Sequence, residues 1–214
     1  IEEMPGSAPD RTGLRVQVEE QPTGELSFSA GYSSVDQLVL DLGVTERNFR
    51  GRGQSVRARV SVGSLRQQID FGFTEPRFLG RDLGAGIDLY SYRYDLTEYT
   101  SYKTVTVGGN LRLAFPLTLN SRMSTRYTLR QEDVQIDDSY CDPAAPLVSR
   151  SICDQRGEYL TSLIGYTYLY DRRNDPINPT RGFRFDISQD LAGLGGDVNY
   201  ISTEVTGGWW HGFN

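Results

Sequence analysis

The chain is predicted to be all-β: a transmembrane antiparallel β-barrel of roughly ten strands behind a short, separate N-terminal segment. Three observations carry this. Period-two alternation dominates from Glu25 onward, charge is confined to one face of the alternating runs, and aromatic residues collect at strand ends.

The first 24 residues differ from the rest. Met4 to Thr12 is rich in Pro, Gly and Asp and reads as a loop, whereas Leu14 to Glu19 alternates as one short strand. Glu20, Gln21, Pro22, Thr23 and Gly24 then break the pattern, and Gln21 to Gly24 read as a hinge leading into the long strands. In the first long strand Leu26, Phe28, Ala30 and Tyr32 share one face, with Ser27, Ser29 and Gly31 on the other. Leu38, Leu40, Leu42 and Val44 come next. Val56, Ala58, Val60 and Val62 then oppose Ser55, Arg57, Arg59 and Ser61. Ile69, Phe71 and Phe73 oppose Gln68, Asp70, Gly72 and Thr74, and Leu83 to Tyr90 alternates likewise. Val105 to Phe115 and Leu119 to Arg130 give two long strands, and further strands fit near 158–170, 182–190 and 197–210.

A soluble β-sandwich also alternates, but its strands average about 5–6 residues. The runs here are longer, and one face is nearly uncharged in all of them. The other carries Arg57, Arg59, Asp70, Asp88, Arg112, Arg122, Arg126, Arg130 and Asp186. A water-filled lumen accommodates those charges; a wall facing lipid does not. Strand ends at one rim collect Phe49, Phe73, Phe78, Phe115, Tyr168, Tyr170, Phe183, Trp209, Trp210 and Phe213. The opposite ends collect Tyr32, Tyr92, Tyr94, Tyr99, Tyr102, Tyr140 and Tyr159. Two such belts are what two membrane interfaces select. The longest connection, residues 136–157, lies on the tyrosine rim, which is therefore read as extracellular, with the N-terminus periplasmic.

The mean hydropathy of −0.46 resembles that of a soluble protein, yet alternation alone lowers the average of a barrel. No run approaches the roughly 18 apolar residues of a membrane helix. A net charge of −6 argues against nucleic acid as a partner. Cys141 and Cys153 lie in one polar segment and are expected to form a disulfide, which persists only in an oxidising compartment. Closing so short a loop stabilises by about 3 kcal/mol in the chain-entropy view. No signal peptide is visible, and the chain stops at Asn214 just after an aromatic stretch, so it reads as cut at both ends.

Four stretches carry a resemblance. Glu19 to Ser34 is similar to the passage from the last POTRA domain into the first barrel strand of the BamA family, the outer-membrane protein insertases. Glu46-Arg47-Asn48-Phe49-Arg50-Gly51-Arg52-Gly53 resembles that family's turn after the second strand, and Phe73-Thr74-Glu75-Pro76-Arg77-Phe78-Leu79-Gly80 its turn after the fourth. Asp171 to Gly182 resembles a later turn of the same family. The arginine-rich turns are more similar to alphaproteobacterial members than to enteric ones. The resemblance implies that residues 1–24 end a POTRA domain and that residues 25–214 begin a sixteen-stranded barrel. Strand number alone also allows a closed ten-stranded barrel, ten being even. Arg181-Gly182-Phe183 imitates the family's lid motif but starts a strand after a turn, so no lid role is carried over.

No catalytic constellation is found. His211 is the single histidine and sits among interfacial aromatics, and no Gly-x-Ser-x-Gly elbow is present. Asp137, Asp138 and Asp142 share a loop without metal-ligand spacing and read as solvated. No cofactor or metal is expected, and no enzymatic activity. Function is expected to come from the sheet: a weakly paired strand offers free N–H and C=O groups to another strand. The candidate is the first strand, Glu25, Leu26, Ser27, Phe28, Ser29, Ala30, Gly31, Tyr32 and Ser33, whose serines and glycine give little bulk to hold register. The resemblance places it at a lateral seam with the last strand. It implies as partners unfolded outer-membrane proteins, periplasmic accessory lipoproteins, and outer-membrane lipid and lipopolysaccharide. A related translocation or secretion transporter, or an outer-membrane pore, remains open as an alternative.

Overall fold

The computed structural model describes residues 2–5, 12–19, 21–33, 37–97, 102–142 and 148–212. Expectations resting on Glu20, Ser34, Tyr99, Phe213 and most of the loop read at 4–12 lie outside the described residues. Two short strands, β1 (Glu2–Pro5) and β2 (Thr12–Arg15), pair with each other alone among the described residues. Met4 and Pro5, read as loop, thus belong to a strand, and the expected strand at 14–19 stops at Arg15. Glu2 pairs with Arg15 at that end of the described ladder, and Val16 and Val18 beyond it are exposed.

The remaining strands form one antiparallel sheet in which every neighbour in sequence is a neighbour in space. They are β3 (Gly24–Ser33), β4 (Gln37–Phe49), β5 (Gln54–Val62), β6 (Arg66–Glu75) and β7 (Gly84–Asp95). The sheet continues with β8 (Tyr102–Thr118), β9 (Ser121–Ile136), β10 (Gly157–Asp171), β11 (Arg181–Ala192) and β12 (Tyr200–His211). The ten strands match the ten expected runs, and β3 and β12 are the two edges among the described residues. The shortest strand has 9 residues, which suits a tilted crossing of about 9–11.

Register fixes the faces. The pairs Leu42↔Val60, Val60↔Ile69, Leu89↔Phe71, Leu111↔Tyr127 and Tyr127↔Ile164 run along one continuous apolar surface. That surface is exposed: Leu26 is 73 %, Phe28 71 %, Val205 67 % and Trp209 74 % accessible. Only Val39, Ile136, Leu163 and Ala192 are buried hydrophobics among the described residues. An apolar surface of this extent is incompatible with water and is what lipid covers. Charged residues on it, such as Arg93, Lys103, Asp133, Glu158, Glu46 and Glu75, fall at strand ends.

The aromatic belts require one correction. At the rim bearing the turns 50–53, 76–83, 119–120 and 172–180, Phe73, Phe115, Tyr168, Tyr170, Phe183 and Trp209 do face outward. Trp210 faces inward there, under Arg173 at 5.3 Å. At the opposite rim Tyr92, Tyr94, Tyr102 and Tyr159 have the parity of Asp70 and Asp88 and point inward; Tyr32 alone of those pairing in strands faces out. Tyr92 donates to Asp70 Oδ1 at 2.6 Å and stacks on Tyr90 at 5.1 Å. Position along the strand assigned these tyrosines to a belt, but the alternation of the pleat assigns them to the interior.

Candidate functional site

The site proposed from sequence is the first strand of the sheet. All ten residues of β3 are laddered to β4, from Gly24↔Glu46 to Ser33↔Gln37. Every second residue therefore turns its N–H and C=O away from β4. Among the described residues no strand pairs with that outer edge.

Side chains hold β3 lightly. Ser27 donates to the Gly43 carbonyl at 3.3 Å and Ser29 to Asp41 Oδ2 at 3.3 Å. Both are long contacts. The Glu25–Arg47 ion pair at 3.2 Å has partners 61 % and 71 % exposed, so it contributes about 0–1 kcal/mol. A Cβ at Gly31 would touch nothing within 4 Å. On the outer face Leu26, Phe28, Ala30 and Tyr32 are all exposed.

The rest of the wall is braced differently, by ion pairs that pass over an intervening strand. Arg126 on β9 reaches Asp190 on β11 at 2.7 Å, and the residue between them in register is Gly165 on β10. A Cβ at Gly165 would collide with Asp190 Oδ1. Arg57 on β5 approaches Asp88 on β7 at 3.8 Å across Gly72, where a Cβ would lie 3.1 Å from Asp88 Oδ1. Arg112 also grips both oxygens of Asp88, at 2.6 and 3.1 Å. Alternation assigns Arg57, Asp88, Arg112 and Arg126 to the interior but reveals neither Asp190 nor the crossings. The signal was a glycine in register between opposite charges, visible only once register is known. Arg57, Asp88 and Arg112, with Asp70, Tyr92 and Arg130, line an interior groove of about 680 Å³. No comparable crossing reaches β3 among the described residues.

At the predicted hinge, Gln21, Pro22 and Thr23 lie outside strands, while Gly24 already belongs to β3. Thr23 is fastened to β4: its hydroxyl donates to Glu46, and its carbonyl accepts from Arg47 N at 3.3 Å. Glu46 also accepts from Asn48 N at 2.7 Å, which starts the next turn.

The long loop is stapled at its base. Cys141 and Cys153 are joined, with Cα atoms 5.7 Å apart, and Arg156 pairs with Asp138. Ser139 donates its hydroxyl and its backbone N–H to Asp137, holding that carboxyl below its ordinary range. On the opposite rim the turn 172–180 is organised by three polar side chains. Arg173 grips Asp171, Asn174 bonds Thr180 and Arg181, and Asp175 accepts from Ile177 N at 2.7 Å and Asn178 N at 3.1 Å. Those two N–H groups lower the Asp175 carboxyl below its ordinary value. The turn ends at Gly182, whose φ of 113° and contact with the Arg172 carbonyl leave no room for a side chain.

Among the described residues no group of three or more His, Cys, Asp or Glu is arranged to hold a metal ion. His211 stacks on Trp209 at 5.5 Å between ring centroids.

Comparison with known proteins places this geometry. The outer membrane protein assembly factor BamA of Nitratidesulfovibrio vulgaris is 28 % identical over 205 residues, 94 % of this chain and 24 % of that protein. BamA of Neisseria meningitidis serogroup B is 25 % identical over 210 residues, covering 94 % and 26 %. The chain thus spans about a quarter of the length of the curated relatives it matches. The crystal structure of Haemophilus ducreyi BamA lacking POTRA domains 1–3 superposes with a TM-score of 0.63 at 22 % identity, over 88 % of this chain and 37 % of that one. It shows the same fold. Residues 48–214 match the Omp85 superfamily domain, and the chain belongs to that superfamily.

Proposed function

We propose that this chain is the N-terminal part of the barrel of an outer-membrane insertase, which folds and inserts other β-barrel proteins by offering β3 as a template. The observation that carries the reading is the contrast between β3 and the wall behind it. Its outer edge has no ladder partner among the described residues, and the side chains of Ser27, Ser29 and Glu25 hold its inner side through two long serine contacts and an exposed ion pair. The relatives' name, outer membrane protein assembly factor, agrees with it.

In this reading β3 meets the closing strand of the full-length barrel at a lateral seam. When the seam opens, the β3 backbone pairs with a strand of the client. The client then grows hairpin by hairpin, and its N–H and C=O groups are never left unpaired in lipid, where each would cost several kcal/mol. The small inner side chains Ser27, Ser29 and Gly31 let clients of different sequence share one register, because little protrudes to reject them. No covalent bond is made or broken, so the activity is not enzymatic.

The rim opposite the long disulfide-stapled loop is periplasmic in this reading, and residues 1–24 end a POTRA domain whose hinge is Gln21, Pro22, Thr23 and Gly24. The separate β1–β2 ladder and the strandless stretch before β3 support that division. Accessory lipoproteins would approach from the same side, and lipopolysaccharide would meet the other.

The test is disulfide crosslinking in the full-length protein between single cysteines on β3 and on a client arrested during assembly. Cysteines at Ser27, Ser29 and Gly31 are expected to link to client positions spaced by two, in one antiparallel register. Links formed equally well from the interior of β7 would refute a templating edge.

A further inference from the structure

We infer that the turns after β4 and β6 together form a binding surface for the phosphodiester headgroup of an anionic phospholipid. The two turns are one patch. Gln54 donates to Glu75 Oε2 at 2.5 Å between them, and a Cβ at Gly53 would lie 3.8 Å from Pro76 Cγ. Into this patch the sequence puts Arg50, Arg52, Arg77 and Arg81, all exposed, against the acids Glu75 and Asp82. The Glu75 carboxylate is already engaged by Gln54 and by the Arg77 N–H at 2.9 Å. None of the four arginines forms an ion pair among the described residues.

Apolar tips stand among the charges. Phe49 and Phe78 are each 40 % exposed and Leu79 is 77 % exposed. Leu79 and Arg50 have φ of 57° and 59°, the left-handed region that side-chain-bearing residues rarely enter. Hydrogen bonds hold the second turn in that shape, from Gly80 N to Arg77 O at 3.0 Å and from Phe78 N to Leu83 O at 2.8 Å. The exposure of Leu79 is therefore built into the fold, and such positions gather where a surface has a task.

The chemistry selects the ligand. A guanidinium meets a phosphodiester oxygen pair through two parallel N–H donors, and Arg50 is steadied for this by stacking on Phe49 at 5.4 Å. The outward-facing Phe73 lies at the end of β6 beside the patch, so the arginines sit where headgroups lie and the acyl chains can follow the apolar wall above. A soluble acidic peptide would satisfy the arginines but leave Phe78 and Leu79 in water. The inference rests on the membrane embedding of the sheet and not on client templating, so the two fail separately.

Native mass spectrometry of the full-length protein tests this, with phosphatidylglycerol and phosphatidylcholine as competing probes. Phosphatidylglycerol is expected to be retained selectively. The variant R50Q/R52Q/R77Q/R81Q should lose at least about tenfold in that retention, since each basic group near an anionic surface carries roughly a fivefold factor. The corresponding lysine variant should keep the selectivity at reduced strength. Equal retention of both lipids, or an unchanged glutamine variant, overturns the inference, as does displacement of the lipid by a polyglutamate peptide. Should the glutamine variant not fold, the natural protein decides through a phosphatidylglycerol carrying a photoreactive headgroup. Crosslinks concentrated in 49–53 and 76–82 support the site, and crosslinks spread evenly over both rims overturn it.

Discussion

At the scale of single residues, glycine has two opposite meanings in this sheet. Gly165 lies under the Arg126–Asp190 pair, and any side chain there displaces one of the partners. Gly31 faces open space. Gly165→Ala is therefore expected to destabilise the full-length barrel by about 1–3 kcal/mol. Gly31→Ala should stay within about 0.5 kcal/mol of the natural protein. The temperature at which heat-modifiable gel mobility is lost compares the two, and equal shifts would mean that the crossing pair is not a brace. A carboxylate tells a similar story. Asp175 accepts two backbone N–H groups, so its charged form is favoured in the folded turn and its pKa falls below the ordinary 3.8. Because the folded value is the depressed one, this support is fully present above pH 3.8 and is lost as pH falls through the folded value. A carboxyl-carbon NMR titration should give a midpoint below 3.8; a midpoint at or above it would show that the two bonds do not form.

At the scale of elements, the strands were legible and their partners' side chains were not. Alternation located all ten strands of the large sheet, because a face that meets lipid and a face that meets water leave no freedom in parity, though it ended those at 38–44, 83–90 and 119–130 five or six residues early. It failed at the N-terminus, where Met4 and Pro5 join a strand only because Thr12–Arg15 pairs with them. It failed again with the tyrosines, which were sorted by height along the strand when their parity with Asp88 put Tyr92 and Tyr94 inside. The pairing of Arg126 with Asp190 depends on two successive registers and cannot be read from spacing. The small inner face of β3 could be read directly, since Ser27, Ser29 and Gly31 alternate with the apolar residues. This predicts a gradient. In hydrogen exchange on the full-length protein, amides of β3 are expected to exchange at least about tenfold faster than those of β8 to β10. Protection of β3 equal to that of β9 would contradict the contrast from which the functional reading starts.

At the scale of the whole molecule, the wall is an inverted protein: apolar outside, polar and charged within, with most of its large hydrophobics exposed. Such a sheet is stable only where lipid covers it and where each edge finds a partner. Bracing runs from β5 to β11, and in the proposed reading β3 is the edge that exchanges partners. The central claim is that this exchange is the activity, and locking the edge tests it most directly. A cysteine at Ser29 is paired with one facing it on the closing strand of the full-length protein, and assembly of a client barrel is monitored before and after reductant. Assembly should stop in the locked, folded protein and resume when the disulfide is reduced. Unimpeded client assembly with the seam held shut would contradict the claim.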